Sequence, residues 1–351
     1  MSRLISYADA IREGQADLLK SDDQVILLGL GVPGPTGVFG TSTGLEQEFG
    51  SERVLDVPAA ENGITGIAVG MALLGMKPIL VHQRLDFAVL SLEQIVNQAA
   101  KWRYMYGNQA SAPLTIRMIV GRGWGQGPQH SQSLHAWFGH VPGLHVVVPT
   151  TASDAKGMLI ASVQSENPTI VIEHRWLYDT LGEVPEGTYE RPIGKAYVRR
   201  HGEDITLVGV SYMVLECLAA AEKLEQVGIS AEVIDLASVL PMDRKTILDS
   251  VARTRRLLVA DTSHVDFGIG SEIVSSVCAE HGMHLLANPK RVGLPFAPAP
   301  TTPALANSYY PTARELVTEV CRILGVDDAG LEWPDQMAPL DVPNRDFTGP
   351  Y

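Results

Sequence analysis

Glu61 is the first residue in this sequence whose position indicates chemistry. It follows a short apolar run that ends at Val57, and a stretch rich in small residues, Gly63–Gly70, comes directly after it. This pattern predicts a helix that begins near Glu61 and packs closely through its glycines. A carboxylate at a helix N-terminus is stabilised by the helix dipole and the free N–H groups. Spacing alone therefore favours a capping glutamate, with a catalytic carboxylate as the alternative.

His130 stands after a glycine-rich segment, Gly121–Gly127, which itself follows the predicted strand Leu114–Val120. Loops that leave the carboxyl ends of strands in α/β sheets are where ligands bind. An imidazole in such a loop can serve as an acid or a base near neutral pH. His135 and His140 follow at five-residue steps, and each step turns a helix by about 140°. The three histidines therefore share no helix face, and no metal cluster is predicted from them.

A third polar group, His82–Asp86, follows the predicted strand Pro78–Val81 and leads into Phe87. Polar side chains beside an aromatic ring at a strand end can line a ligand pocket. The same residues can also form a solvated turn, and the sequence leaves both interpretations open.

The elements that position these residues alternate along the chain. Short β-type runs are separated by longer helical stretches, which predicts an α/β fold of mostly parallel sheets with helices on their faces. The further strands predicted from this pattern are 25–28, 145–148, 169–173, 205–210, 231–236, 256–260 and 284–286. The predicted helices are 7–19, 62–74, 90–106, 154–164, 214–227, 244–252, 269–280 and 312–324.

Composition divides the chain into two predicted domains. Residues 1–178 and 196–326 each carry one series of strands and helices. Between them, 179–195 is polar and turn-rich and predicts a linker. The last segment, 327–351, is rich in proline and aspartate and predicts a surface tail.

The overall charge and the apolar pattern exclude several function classes. The 27 Lys and Arg against 40 Asp and Glu leave a net charge of −13, which disfavours nucleic acid or an anionic membrane as a partner. No apolar run approaches the roughly 18 residues of a spanning helix, and the N-terminus lacks the apolar core of a secretory signal. Three widely separated cysteines are typical of a reducing cytoplasm.

Together these segments resemble one family. Residues 60–73, 92–105, 129–159 and 167–174 are similar to the β subunit of the 2-oxo acid dehydrogenase decarboxylase component, of which pyruvate dehydrogenase is the reference. The wider group is the transketolase-like thiamine diphosphate enzymes. The resemblance is most specific over residues 57–175, where the segment Gln129–Leu144 is distinctive. It implies a transketolase-like pyrimidine-binding domain followed by a transketolase C-terminal domain.

The resemblance also implies roles for four residues. Glu61 matches the carboxyl that bonds to the aminopyrimidine of thiamine diphosphate and starts its activation. Phe87 matches the aromatic residue that packs against the pyrimidine. His130 matches an active-site histidine that stabilises or protonates intermediates. Glu93 matches an acidic position in a proton relay between paired active sites.

The family's motif for magnesium and the diphosphate, Gly-Asp-Gly followed by an Asn pair, is absent from this sequence. In the family this motif lies on an α subunit. The resemblance therefore implies an α partner, in an α2β2 assembly, that is mainly responsible for binding magnesium and the diphosphate. Several members also bind potassium near an Asp-x-Asn turn. Here that turn keeps Asn167 but has Ser165 in place of the aspartate, so a monovalent ion near Asn167 is only weakly indicated.

The departures from the family concern the substrate. His82, Arg84 and Arg122 add cationic or hydrogen-bonding groups near the expected pocket, and we expect them to bind an acidic group such as a carboxylate or a sugar phosphate. The equal alternative is that Arg84 pairs with Asp86 or faces a partner chain. Leu30 replaces a residue that is usually acidic in the family.

Three functions follow as hypotheses. The first is cleavage of a C–C bond next to a ketone, by decarboxylation of a 2-oxo acid and acyl transfer to a lipoyl or carrier-protein acceptor. The second is transketolase-like transfer of a two-carbon ketol unit from a ketose phosphate. The third is a non-catalytic scaffold for an α partner, which the retained Glu61, Phe87 and His130 disfavour.

Overall fold

The computed structural model describes residues 2–123, 125–328, 330–333, 340 and 342. The described chain divides into two compact units. The first contains residues 2–121 and 129–193, and the second contains the described residues of 122–128 and 194–342. Most of the predicted tail at 327–351 lies outside the described residues. No described helix is long and apolar enough to cross a membrane.

The first unit contains eight strands among its described residues. They are β1 (Ser2–Ser6), β2 (Val25–Gly29), β3 (Val54–Leu55), β4 (Lys77–His82), β5 (Thr115–Val120), β6 (His145–Val147), β7 (Thr169–His174) and β8 (Leu181–Pro185). Its α-helices are α1 (Tyr7–Ser21), α2 (Leu45–Phe49), α3 (Glu61–Leu73), α4 (Leu85–Ala88), α5 (Ala100–Met105), α6 (His135–Gly139) and α7 (Ala152–Gln164).

Six of these strands pair in parallel in the order β6, β7, β5, β4, β2, β3. Strands β2, β5 and β7 are buried along their whole length, which explains their continuous apolar runs, because helices cover both faces of such a sheet. Helix α1 begins at the cap Ser6, whose side chain accepts a hydrogen bond from the Asp9 backbone N–H. Its buried face packs on α7. This confirms the predicted α/β class.

The region predicted as one helix over 90–106 is divided in the structure. A 3-10 turn at Val89–Ser91 precedes a π-helix at Glu93–Ala99, and α5 completes the segment. A π-helix is rare and often lies near functional sites. Apolar periodicity does not distinguish it from an α-helix, so the sequence pattern missed it.

The predicted linker 179–195 is not irregular throughout. Strand β8 lies within it and pairs antiparallel with β1, with Ser2 opposite Pro185 and Ser6 opposite Leu181. Most residues of this short two-stranded pair are exposed or half-buried, so its sequence gives little apolar signal. The pair brings the beginning and the end of the first unit together.

The second unit contains β9 (Tyr197–Arg200), β10 (Ile205–Gly209), β11 (Ala231–Asp235), β12 (Ser238–Leu240), β13 (Leu257–His264) and β14 (Lys290–Leu294). Five of them form a sheet in the order β14, β13, β10, β11, β9, parallel except for β9. Its helices are α8 (Met213–Glu225), α9 (Arg244–Thr254), α10 (Ile269–His281), α11 (Pro303–Tyr309) and α12 (Ala313–Leu324).

One predicted element of the second unit is wrong. Residues 284–286 do not form a strand, because Gly282–His284 is a 3-10 turn, and the strand of that region is β14. Asp243 accepts a hydrogen bond from the Thr246 backbone N–H, and Thr312 begins α12 with a capping box that includes Glu315.

Candidate active site

The candidate site lies in the first unit, at the carboxyl ends of β2, β3 and β4. Strand β2 pairs with β3 on one side and with β4 on the other, so the connections that leave these ends run in opposite directions. Such a switch point opens a crevice at the sheet edge, where α/β proteins bind ligands. The last residue of β2 is Gly29. Only glycine fits at this position, because a Cβ there would lie 2.6 Å from the Val81 carbonyl oxygen.

Glu61 is the first residue of α3, and the cap residue before it, Ala60, provides no side-chain hydrogen bond. Among the described residues, no side chain pairs with the Glu61 carboxylate. The loop before α3 is anchored by Asp56, whose Oδ1 accepts from the N–H groups of Gly31 and Val57 at 2.8 and 3.0 Å. Glu61 is therefore held at a helix start with its carboxylate available to a ligand.

A pocket of about 360 Å³, with its mouth open to solvent, lies beside Glu61. Its walls are mostly apolar, and Gln83 is fixed among them by donating from Nε2 to the Leu30 carbonyl oxygen at 2.8 Å. The lining residues are Leu30, Val57, Pro58, Ala59, Glu61, Ile64, Leu80, Val81, His82, Gln83 and Phe87. One carboxylate in an apolar, aromatic-walled pocket fits a flat heteroaromatic ring with a polar edge.

His82 lies in this pocket as a neutral side chain. Burial lowers its pKa to about 4, because desolvation disfavours the imidazolium. Its Nε2 lies 3.3 Å from Thr65 Oγ1, and that hydroxyl donates its own proton to Ser91 at 2.9 Å. His82, Thr65 and Ser91 therefore form one buried group of neutral hydrogen-bonding side chains. The structure thus restricts His82 to neutral hydrogen bonding and excludes the cationic role at neutral pH.

A second pocket of about 660 Å³ adjoins the first, since Gln83 and Phe87 line both. His130 and Phe87 stand edge to face, with ring centroids 5.2 Å apart and planes at 83°. The Nδ1 atom of His130 is buried and has no hydrogen-bond partner among the described residues. The predicted residues Glu61, Phe87 and His130 therefore lie around two adjoining pockets, where Phe87 is common to both.

Arg84 also lines the second pocket, as the residue between β4 and α4. Its Nη1 donates to the Gln83 carbonyl oxygen at 2.8 Å, its guanidinium lies 4.6 Å from the Phe39 ring centroid, and its buried Nε has no partner in the described chain. Burial lowers its pKa to about 10, so it remains a cation at neutral pH. Asp86 instead accepts from the backbone and side chain of Gln132, so the alternative pairing of Arg84 with Asp86 is wrong.

Phe39 and Arg175 complete this region, and neither was expected from the sequence. The Arg175 guanidinium lies 4.9 Å from the Phe39 ring centroid. Phe39 has φ +51°, a left-handed conformation that is costly for an aromatic residue and is found at functional sites. The loop that holds it is closed by Ser42, which accepts from the Val38 N–H and donates to the Val32 carbonyl. The glycines and prolines of residues 31–40, among them Gly37 at φ +56° and Gly40 at φ +85°, were the sequence signal of tight turns here.

Two further predicted site residues, Arg122 and Glu93, are not among the residues that line either pocket. Arg122 belongs to the second unit, where its guanidinium stacks on Tyr310 at 4.1 Å and its Nε donates to the Leu340 carbonyl at 3.3 Å. Glu93 begins the π-helix, accepts from Gln98 at 3.0 Å and lines neither pocket.

The predicted monovalent ion near Asn167 conflicts with its surroundings. The side-chain oxygen of Asn167 accepts from Arg103 at 3.0 Å, and Arg103 also pairs with Glu166. A guanidinium at the proposed ligand atom repels a second cation. In the part of the chain that the structure describes, no cluster of three or more His, Cys, Asp or Glu side chains could hold a metal ion.

Comparison with known proteins agrees with this geometry. Residues 3–180 match the transketolase pyrimidine-binding domain, and residues 194–316 match the transketolase C-terminal domain. The chain is 39% identical to the acetoin:2,6-dichlorophenolindophenol oxidoreductase subunit beta of Bacillus subtilis, covering 93% of this chain and 98% of that protein. It is 41% identical to the 2-oxoisovalerate dehydrogenase subunit beta of the same organism, covering 84% and 91%.

Two further relatives extend the comparison. The mitochondrial pyruvate dehydrogenase E1 component subunit beta of Pisum sativum is 37% identical, covering 90% of this chain and 89% of that protein. A solved split-gene transketolase, described as an inactive beta4 tetramer, superposes with a TM-score of 0.74 at 24% identity, covering 92% of this chain and 99% of its own. The chain therefore belongs to the transketolase-like family of thiamine diphosphate enzymes, and within it to the β subunits of 2-oxo acid dehydrogenase decarboxylase components.

Proposed function

We propose that this chain is the β subunit of an enzyme that cleaves a C–C bond next to a ketone, by decarboxylating a 2-oxo acid and passing the acyl group to a lipoyl or carrier-protein acceptor. The observation that carries the proposal is the Glu61 carboxylate. It stands at a helix start, without a partner among the described residues, beside an apolar pocket that Phe87 also lines.

The pocket residues fit the aminopyrimidine of thiamine diphosphate. Glu61 would bond to a ring nitrogen and hold or return a proton there, while Phe87 and Ile64 would pack on the ring faces. When bound, thiamine diphosphate supplies a carbon nucleophile and then stores the electron pair released by C–C cleavage. His130, in the adjoining pocket, would stabilise or protonate the reacting group through its Nδ1 atom, which has no partner among the residues that the structure describes.

The remaining requirements point to a second polypeptide. The described residues of this chain contain no cluster of acidic and histidine ligands for magnesium, so the proposal assigns magnesium and the diphosphate to an α subunit, in an α2β2 assembly. Potassium is not part of the proposal, because Arg103 occupies the Asn167 oxygen. Glu93 keeps its proposed relay role toward the second active site, and a cytoplasmic location rests on the separated cysteines alone.

Ketol transfer from a ketose phosphate is the second candidate. It is favoured by one observation, the buried and cationic Arg84 in the pocket next to Glu61. Both candidate reactions use the Glu61 carboxylate and thiamine diphosphate. They differ in the donor substrate, which is a 2-oxo acid in the first and a ketose phosphate in the second.

The experiment is reconstitution with the α subunit that carries the missing magnesium motif. The complex with thiamine diphosphate and magnesium is assayed with 2-oxo acids and an artificial electron acceptor, and with ketose phosphates and an aldose acceptor. We expect turnover of a 2-oxo acid, and a loss of at least about 10³-fold in Glu61→Ala.

The matched control is Glu48→Ala, which removes an exposed carboxylate from the first turn of α2. It should keep full activity. Turnover that survives Glu61→Ala would refute the role assigned to Glu61. If this chain binds the α subunit but the complex turns over no donor, the scaffold alternative is favoured.

A further inference from the structure

Arg84 and Phe39 line the second pocket of the first unit, and Arg175 contacts the same Phe39 ring. We call these three residues the cationic wall; both guanidiniums lie within 4.9 Å of the Phe39 ring centroid. Arg84 is only 5% exposed and Arg175 2% exposed. Two buried guanidiniums that share one ring repel each other, and burial and this repulsion lower the pKa of Arg84. Such an arrangement is costly unless an anion offsets it.

Among the described side chains that line the pocket, none carries a negative charge to offset that of Arg84. The residues that line it are Thr36, Gly37, Val38, Phe39, Gln83, Arg84, Phe87 and His130, and none of these is acidic. The groups that attract the two guanidiniums are Tyr178, which acts on both, Asp86, which acts on Arg84, and Asp179, which acts on Arg175. Neither aspartate forms an ion pair with Arg84, and one Asp86 oxygen is engaged by Gln132. The Nε of Arg84 and the Nδ1 of His130 are both buried at this pocket without a described partner.

The chemistry of decarboxylation limits which anion the wall can serve. When the C1–C2 bond of a 2-oxo acid breaks, its electron pair passes to the cofactor and the carboxylate leaves as neutral CO₂. A guanidinium fixed on that carboxylate would stabilise the ground state more than the transition state and slow the reaction. The wall therefore suits an anionic group that keeps its charge throughout the reaction.

We propose that the cationic wall binds a second, permanent anionic group of the donor, a carboxylate or phosphate ester remote from the carbonyl. The proposal rests on the proposed function and adds the substrate class to it. Arg84 would donate from Nε and Nη2, and Phe39 would hold the guanidinium planes in place. Donors with a neutral tail would gain nothing from this wall.

The test compares donors that differ only in the charge of the tail. In the reconstituted αβ complex, kcat/KM is measured for 2-oxoglutarate against 2-oxohexanoate, and for xylulose 5-phosphate against xylulose. One of the two anionic donors should be preferred over its neutral counterpart, and that pair identifies the oxyanion as a carboxylate or a phosphate. In Arg84→Met this preference should fall by about 10- to 100-fold, the usual value of a charge-assisted hydrogen bond.

Two control variants separate recognition from folding. Arg84→Lys keeps the charge and should retain part of the preference. Arg322→Met removes an equally charged side chain from an exposed position in α12 and should leave the preference unchanged. The dissociation constant of thiamine diphosphate should stay within about twofold in Arg84→Met; a much larger increase would show that the wall serves the cofactor diphosphate and would overturn the proposal.

A binding measurement keeps this inference separate from the proposed function. Thermal unfolding of the cofactor-free complex is followed with glutarate and with inorganic phosphate. At least one of these anions should raise the melting temperature of the wild type and not of Arg84→Met, even if no donor is turned over. Equal losses for charged and neutral donors, or equal stabilisation of both variants, would refute the proposal.

Discussion

The ring of Phe87 meets the ring of His130 edge to face, 5.2 Å between centroids. Phe87 comes from α4, directly after β4, and His130 comes from the loop that follows the glycine-rich segment. The contact places His130, whose buried Nδ1 has no partner in the described part of the chain, against a residue that also lines the pocket of Glu61. It joins the two pockets into one candidate active site.

Loss of the His130 imidazole should affect turnover and not cofactor binding. In His130→Ala we expect kcat to fall by about 10²- to 10³-fold, the contribution of one positioned acid–base group. The dissociation constant of thiamine diphosphate should change by less than about threefold, because His130 lines only the second pocket. The exposed His140 gives the control His140→Ala, which should be unchanged. A purely structural role would lower cofactor affinity and kcat together.

Truncation of Phe87 should act mainly on cofactor affinity. A ring that packs on a heteroaromatic ligand contributes about 1–2 kcal/mol through burial and stacking. The cofactor dissociation constant should therefore rise about tenfold in Phe87→Ala and stay near the wild-type value in Phe87→Tyr. Phe267→Ala removes an exposed ring of the second unit, 89% accessible, and serves as the control. Unaltered affinity in Phe87→Ala, measured by cofactor titration, would contradict the assignment.

Acid should destabilise the protein through His82. Its pKa is about 4 when folded, against 6.5 when exposed. The unfolded chain therefore takes up the proton first, and stability is lost as the pH falls from about 6.5 toward 4. Linkage gives a loss of about 2 kcal/mol between pH 7 and pH 5. The variant His82→Gln keeps a hydrogen-bonding group for Thr65 but does not titrate. In urea titrations at pH 7 and pH 5, its free energy of unfolding should not show the loss of about 2 kcal/mol that is assigned to His82. A parallel pH dependence in both proteins would disprove the shift.

Breaking the buried ion pair between Arg117 and Glu173 should destabilise the first unit. Arg117 donates from Nη2 to Glu173 at 2.8 Å and from Nη1 to Gln15 at 2.7 Å, and Tyr178 donates to the same carboxylate at 2.6 Å. Glu173→Gln leaves the guanidinium buried without its counter-charge, so the free energy of unfolding should fall by about 3 kcal/mol. The exposed pair Lys245–Asp249 offers the control Asp249→Asn, whose urea midpoint should not move. Equal midpoints for the two variants would refute the prediction.

The sequence predicted the parts of the fold that have a strong apolar period. Strands such as β2 and β5, buried on both faces, read as continuous apolar runs, and α1 and α12 have clear caps and one apolar face. Elements without that signal were missed. Strands β1 and β8 are half exposed, and the π-helix has the same local composition as an α-helix.

The candidate site was predicted through resemblance more than through spacing. Glu61 alone could not be separated from a capping residue, and the structure adds that its carboxylate has no described partner. Phe39 and Arg175 carry no local motif, because their role depends on a contact between segments more than a hundred residues apart. Arg122, by contrast, was grouped with the site by its position in the sequence and lies in the other unit.

The short turn from Gln83 to Phe87 borders both pockets. A substitution at position 83 or 87 would therefore change two things at once, the pocket proposed for the coenzyme and the pocket proposed for the donor. Position 84 borders only the second pocket. Substitutions there, natural or engineered, could therefore change the donor preference without affecting activation of the coenzyme.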